Sequence, residues 1–441
     1  MRRTTWSALA SSALAVAAVT VAAVALPSAS RAQTIAITGG TVYPVNGPKI
    51  ENGTVLITNG RITAVGAGLP IPAGAARVDA TGKWVTPGLV VGGATIGLAE
   101  AGGPQFSGGY NDARARGTAG VSASWRVWEG TNPASTFFRK NVQAGVTTVV
   151  QVPQGAGWIG GQAAVLNLAG NTIAEMLVKA PVAMMASMSP EAAGAASRGE
   201  LLARMRAVLA DAKAYGARRV QYESGNTRSF AVPKQELEAL QPVVNGTMPL
   251  VIGVDRASDI RAALAIGREF GLKLVVAGAA EGWQVAAELA AAKVPVMVGA
   301  MSNIPQSFDQ LAASQENAAR LRRAGVSVIL VNTGPGDSDA FNVQNIRQEA
   351  GNAVAYGMSW DDALRAITLA PAEVMGVADR VGSLAVGREA NVVVWSGDPF
   401  EFATSAERVY IRGVLQTGES RQDELMKRYR TPGSPGWFER P

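Results

Sequence analysis

The sequence predicts an α/β fold: an array of parallel βα units flanked by a small β domain built from both chain ends. Three observations predict it. Apolar strand-like runs alternate with amphipathic helical stretches through the middle of the chain. Short strands joined by tight turns precede Pro87-Gly88, and strand character returns at Val381. With 48% apolar and only 17% charged residues, the chain has enough apolar surface for a large core and is not disordered.

At the start, Arg2 and Arg3 precede an apolar run, Ala13 to Leu26, broken only by Thr20. Ser30-Arg31-Ala32 then sets small residues at the two cleavage positions. This pattern is that of a secretory signal peptide over 1–32, with cleavage after Ala32. The run is short for a membrane anchor, which needs about 20 residues. The mature chain is therefore expected to be periplasmic or secreted, with no membrane association after cleavage. Removing Arg2, Arg3 and Arg31 lowers the net charge from +6 to +3. So small a charge, without runs of Lys and Arg, leaves no footprint for nucleic acid.

Residues 33–87 read as the first part of a small antiparallel β unit. Ile35 to Thr38 runs into Gly39-Gly40 before Thr41-Val42-Tyr43. Thr54 to Thr58 lies between Asn52-Gly53 and Asn59-Gly60, and Arg61 to Val65 follows. Asn-Gly tolerates positive φ at both positions and favours a two-residue hairpin turn. Over 88–378 the strand-like runs are Val146 to Val152, Val182 to Met185, Leu250 to Val254, Leu274 to Val276, Val294 to Val298 and Val326 to Val331. Leu201, Met205, Val208, Leu209 and Ala212 fall at helical spacing, with Gly216 as the stop. Ser258 and Asp259 start a second helix, which Gly271 ends. Strands followed by helices of this length make parallel βα units, in a closed (β/α)8 barrel or an open doubly wound sheet. Residues 379–415, with Asn391 to Trp395 and Val409 to Gly413, are expected to complete the β domain as a composite sandwich. Residues 416–441 are expected to form a surface arm.

The chain contains no histidine and no cysteine. Disulfides, thiolate nucleophiles, imidazole bases and imidazole or thiolate metal ligands are thereby excluded. Any chemistry rests on carboxylates, Lys, Tyr, Ser, Thr or backbone groups.

Three blocks carry a resemblance. Asn59-Gly60-Arg61-Ile62 followed by Trp84-Val85-Thr86-Pro87-Gly88-Leu89 resembles the opening of an amidohydrolase-superfamily barrel. Ala366 to Glu373 and Gly382 to Gly387 resemble its close. Asn391 to Phe400 (NVVVWSGDPF) resembles the last strand of the imidazolonepropionase-like branch. The resemblance implies a (β/α)8 TIM-like barrel with zinc or another divalent metal at the C-terminal strand ends.

It also implies positions that this chain fills with other residues. The first-strand His-x-His corresponds to Gly93 and Thr95, and the Asp often before it to Val91. The middle-strand Lys corresponds to Ala183, and an acidic position of the branch to Met188. The later His-x-His-Arg becomes Gly253-Val254-Asp255-Arg256. The next His becomes Gly278, with Glu281-Gly282 retained, and the last-strand Asp becomes Thr333, or Asn332 in the neighbouring register. A vestigial pocket of Gly93, Thr95, Ala183, Gly253, Asp255, Gly278 and Thr333 is the expectation, with no metal and no cofactor. Asp255 is expected simply to pair with Arg256 or solvent.

Other features carry less. Gly155 to Gly160 fits G-x-G-x-x-G after a strand, but Gln162 to Leu168 is apolar and extended where a dinucleotide site needs a helix. Asp337 and Asp339 lack the rest of a calcium loop. Trp125, Trp128, Trp158 and Trp283 lie near strand ends, where core packing competes with lining a cleft. The expected protein is thus a non-catalytic subunit or small-ligand binder. Its expected partners are a catalytic paralogue, a second copy of itself or a small molecule. The competing expectation is a hydrolase of non-peptide C–N bonds, running on Glu100, Asp255, Glu281 and Asp337 or on metal from a partner chain.

Overall fold

A computed structural model describes residues 34–99, 111–154, 157–301, 305–332 and 338–430. The expected signal segment, Glu100, Gly155, Ala156, Thr333, Asp337 and residues 431–441 lie outside the described residues.

Five strands open the described residues: β1 (Thr34–Val42), β2 (Ile50–Thr58), β3 (Arg61–Ala67), β4 (Ala76–Asp79) and β5 (Trp84–Pro87). Asn59 and Gly60, at φ 51° and 76°, make the expected hairpin turn between β2 and β3. The other Asn-Gly pair does not turn the chain. Asn52 and Gly53 lie inside β2, where the register against β1 shifts between the pairs Gly40–Gly53 and Val42–Ile50; positive φ at Asn52 (48°) serves an irregularity in the ladder. Nor is the unit wholly antiparallel, because β4 and β5 both pair with β1 in parallel.

The second sheet holds β6 (Leu89–Ala94), β7 (Val146–Gln151), β8 (Ile159–Asn167), β9 (Leu177–Ser187), β10 (Leu250–Val254), β11 (Leu274–Gly278), β12 (Val296–Val298) and β13 (Val328–Leu330), neighbours in that order. It is the predicted eight-stranded barrel. β13 returns beside β6, where a Cβ on Gly92 would stand 2.5 Å from Ile329 Cγ2, so only glycine permits the approach. One strand departs from the parallel expectation. β8, the extended run after the glycines, pairs antiparallel with both β7 and β9. The connection 152–158 is too short for the helical crossover that parallel pairing needs. Inward-facing Val150, Ala163, Val165, Ala183, Val251, Val275, Met297 and Ile329 form one buried cluster that fills the barrel.

The helix expected to stop at Gly216 runs Arg198–Ala217, because a single glycine near a C-terminus costs a helix only about 1 kcal/mol. The second, Ala257–Phe270, ends at Gly271 with φ 66°, the left-handed cap expected.

β14 (Val392–Trp395), β15 (Ala406–Ile411) and β16 (Val414–Leu415) return to the first sheet, β14 pairing with β5. Strands from both chain ends share one core, including Ile37, Val55, Ile62, Val85, Val392 and Tyr410. A buried polar network fastens this domain to the barrel. Asn167 donates to Glu389 (2.7 Å) and accepts from Thr148 (2.9 Å) and Asn391 (2.9 Å). Trp395, fully buried, donates to Thr86 (2.8 Å) and lies under the Arg347 guanidinium. Beyond the sheet, part of the expected arm is a helix, Arg421–Tyr429, started by a Ser420–Asp423 capping box and with no buried residue.

Candidate functional site

The C-terminal ends of the barrel strands are where this architecture builds sites. Strand alternation decides what faces inward there. The outermost inward side chains are Val152, Met185, Ala277 and Val331, all half-buried and packed on the barrel cluster. Gly93 and Gly253 stand at the same level. A Cβ on Gly93 would meet nothing nearer than 3.8 Å, and one on Gly253 nothing nearer than 3.6 Å. The level carries methyl, methylene and thioether groups and no charge.

The seven predicted positions are distributed unevenly. Ala183 is fully buried in the barrel cluster, below the mouth. Thr95, 1% exposed, has a buried hydroxyl with no hydrogen-bond partner among the described residues. Gly93, Gly253, Asp255 and Gly278 lie at the ends of β6, β10 and β11, and Thr333 is outside the described residues. Its neighbour Asn332 donates to Val343 O (3.3 Å), while its Oδ1 is buried without a partner among the described residues.

Asp255 is not paired as expected. Arg256 turns to Ser258 (2.8 Å) and Asp309 (3.9 Å) instead. The Asp255 carboxylate accepts from the Ala280 backbone N–H (3.2 Å) and from Gln310 Nε2 (2.8 Å). It also occupies the space beside Gly278, where a Cβ would come within 2.6 Å of Asp255 Oδ1 at φ +86°. A side chain at 278 and this carboxylate therefore exclude each other. Glu281, 8% exposed, is likewise committed. Its Oε2 accepts from Ala257 N (3.0 Å) at the start of helix Ala257–Phe270, and its Oε1 from Ala312 N (3.1 Å). Glu349, 3% exposed, accepts from Ala300 N (2.8 Å) and Met301 N (3.0 Å). Asp255, Glu281 and Glu349 thus each hold backbone N–H, the usual way to satisfy a buried acid. Among the described residues, no three His, Cys, Asp or Glu side chains gather so as to hold an ion.

The tryptophans divide between core and rim. Trp158 is 2% exposed and donates to Ala119 O (3.3 Å). Trp125 and Trp128 pack on Leu98, Ala113 and Val127. Trp283 donates to Ala312 O (2.8 Å) under the Arg320 guanidinium. In the glycine-rich stretch, Gly157 packs against the Gly120 backbone and β8 follows directly, so no helix is present to hold a phosphate. Sequence reasoning passed over two features. The apolar level at the mouth was readable from alternation in the strands, whereas Gln310, in the connection after β12, gives no local signal.

Residues 133–418 match the amidohydrolase family model. This chain belongs to the amidohydrolase family. It is similar over 87% of its length to the whole of a solved amidohydrolase from Thermotoga maritima MSB8, with 28% identity and a TM-score of 0.77. Shorter stretches resemble two curated proteins. Eighty residues (18% of this chain) are 34% identical to Amidohydrolase tasK of Hapsidospora irregularis. Sixty-two residues (13%) are 47% identical to the 5-methylthioadenosine/S-adenosylhomocysteine deaminase of Symbiobacterium thermophilum. The chain spans only 8% and 14% of the length of these two relatives.

Proposed function

We propose that this family member is exported and non-hydrolytic, with an apolar pocket where its relatives of the imidazolonepropionase-like branch hold a metal. One observation carries the reading. The lone carboxylate at an expected ligand position, Asp255, spends its oxygens on Ala280 N–H and Gln310, and the surrounding positions are glycine, alanine, valine and methionine apart from the neutral oxygens of Thr95 and Asn332. A divalent ion needs several oxygen or nitrogen donors at once, and the described residues do not fit one. Without an ion to bring bound water to a pKa of about 7, no group among the described residues of the mouth supplies hydroxide. Gly93 and Gly253 keep two expected ligand positions free of side chains, which suits a small molecule, and loss of catalysis suits a subunit beside an active paralogue. The apolar leader and Ala32 cleavage pattern support export.

Metal analysis of the purified mature chain, paired with amide and cyclic-urea hydrolysis assays, tests this. The expected result is substoichiometric metal and no turnover after zinc or manganese is added. Stoichiometric metal with turnover would restore the competing reading, a metal-dependent hydrolase of non-peptide C–N bonds.

A further inference from the structure

A cleft of about 350 Å³ opens on the face of the barrel opposite its mouth. Its floor is apolar: Leu274 and Val275 at the start of β11, Val294 just before β12, and Val374 at the end of helix Leu369–Val374. All four side chains are buried. Two lysines, Lys273 and Lys293, complete the lining on the solvent side. Neither ammonium has a hydrogen bond or ion pair with any described residue. The other charged residue of the lining, Glu373, is taken by Arg365. Two positive charges are thus left unmatched over an apolar floor.

Lys293 also stands where glycine is usual. Helix Ala286–Ala291 closes in a Schellman turn, with Val294 N–H donating to Leu289 O (3.0 Å) and Lys293 N–H to Ala290 O (3.0 Å). Lys293 takes the left-handed position of that turn, at φ 53°. Helix Ala257–Phe270 fills the same position with Gly271. A side chain kept against backbone strain points to a use for it. Lys273 is fixed as well, its carbonyl accepting from Leu250 N–H (2.9 Å).

We infer that this cleft binds a medium-chain aliphatic carboxylate, its anion between Lys273 and Lys293 and its chain on the leucine and valine floor. An apolar cleft of this size with a few convergent charges has the make-up of a small-molecule site. Lysine supplies a compact point charge without arginine's fork, which suits a single carboxylate. The inference is independent of whether the barrel hydrolyses anything, because the cleft lies at the opposite strand ends from the mouth.

Titration calorimetry of the mature chain with butanoate, hexanoate and octanoate tests it. Octanoate should bind, and each added methylene should tighten binding by up to about fourfold, the equivalent of about 0.8 kcal/mol. Octanol and octylammonium should bind at least about tenfold more weakly. Lys273→Gln with Lys293→Gln should weaken octanoate about tenfold, the loss of two rim ion pairs, while leaving the urea midpoint unchanged. Lys293→Gly should raise that midpoint, since glycine accepts the left-handed conformation, and still weaken octanoate. No binding of octanoate overturns the inference, as does equal binding of octanol or octylammonium, indifference to chain length, or an unaffected double variant.

Discussion

Gly278 offers the sharpest test of how the strand ends are built. Replacing it with alanine places an L-residue at φ +86°, which costs about 1 kcal/mol. The new Cβ would also stand 2.6 Å from Asp255 Oδ1, so the carboxylate must move. Losing or lengthening its bonds from Ala280 N–H and Gln310 costs about 1–3 kcal/mol more. Gly278→Ala should therefore destabilise by about 2–4 kcal/mol in all. In an Asp255→Ala background only the backbone strain remains, so the cost should fall to about 1 kcal/mol. Urea titration followed by tryptophan fluorescence is the assay. For a chain this long, the per-residue entropy of unfolding makes 1 kcal/mol worth only about 1–2 °C in Tm. Equal costs in both backgrounds, or a single-variant cost below about 0.5 kcal/mol, would refute the steric coupling of the two positions.

Three further outcomes follow from other contacts. Glu281→Ala leaves the N–H groups of Ala257 and Ala312 without their acceptor; it should cost about 2–4 kcal/mol and speed proteolytic cleavage near Leu311, read by mass spectrometry. Gly145→Ala would bring a Cβ within 2.2 Å of Trp395 Cη2 at φ +90°; strain and overpacking should cost at least about 2 kcal/mol in the urea midpoint. Burial, with Glu51, Asp398 and Asp361 nearby, pushes the Tyr43 phenol up to about 12. Its folded value lies above its unfolded value of 10.0, so the stability it contributes is complete below pH 10.0 and is lost as the pH rises toward about 12. Tyr43→Phe should reduce that alkaline loss, measured as urea midpoints across the window, without abolishing it, because burial also raises Tyr215 and Tyr410.

Much of the fold was legible because burial imposes periodicity. The runs at Val146, Leu250 and Leu274 are strands for the reason they looked like strands: both faces are covered. Gly271 ended its helix because its φ is positive, whereas Gly216, inside a helix already well packed, ended nothing. The sense of β8 was illegible, since an apolar run is the same read in either direction and only the short connection fixes it. At the strand ends, small residues marked room at Gly93 and Gly253, but at Gly278 the glycine makes way for Asp255. That relation joins two strands and a distant loop, and no local pattern encodes a hydrogen bond to a residue 55 positions away.

The pairing of β5 with β14 sets an order of events during synthesis. Thr86 lies opposite Val393, so the sheet begun by residues 34–87 lacks its central neighbour until nearly the whole chain has been made. The β7–β8–β9 segment, whose pairings are local, has no such wait and should form early. Throughout that interval β5 presents an unfilled edge, the kind of surface that recruits the wrong strand. A chain stopped before residue 392 would be left with that edge open, so truncations from the C-terminal side should aggregate where small deletions within the last helix do not.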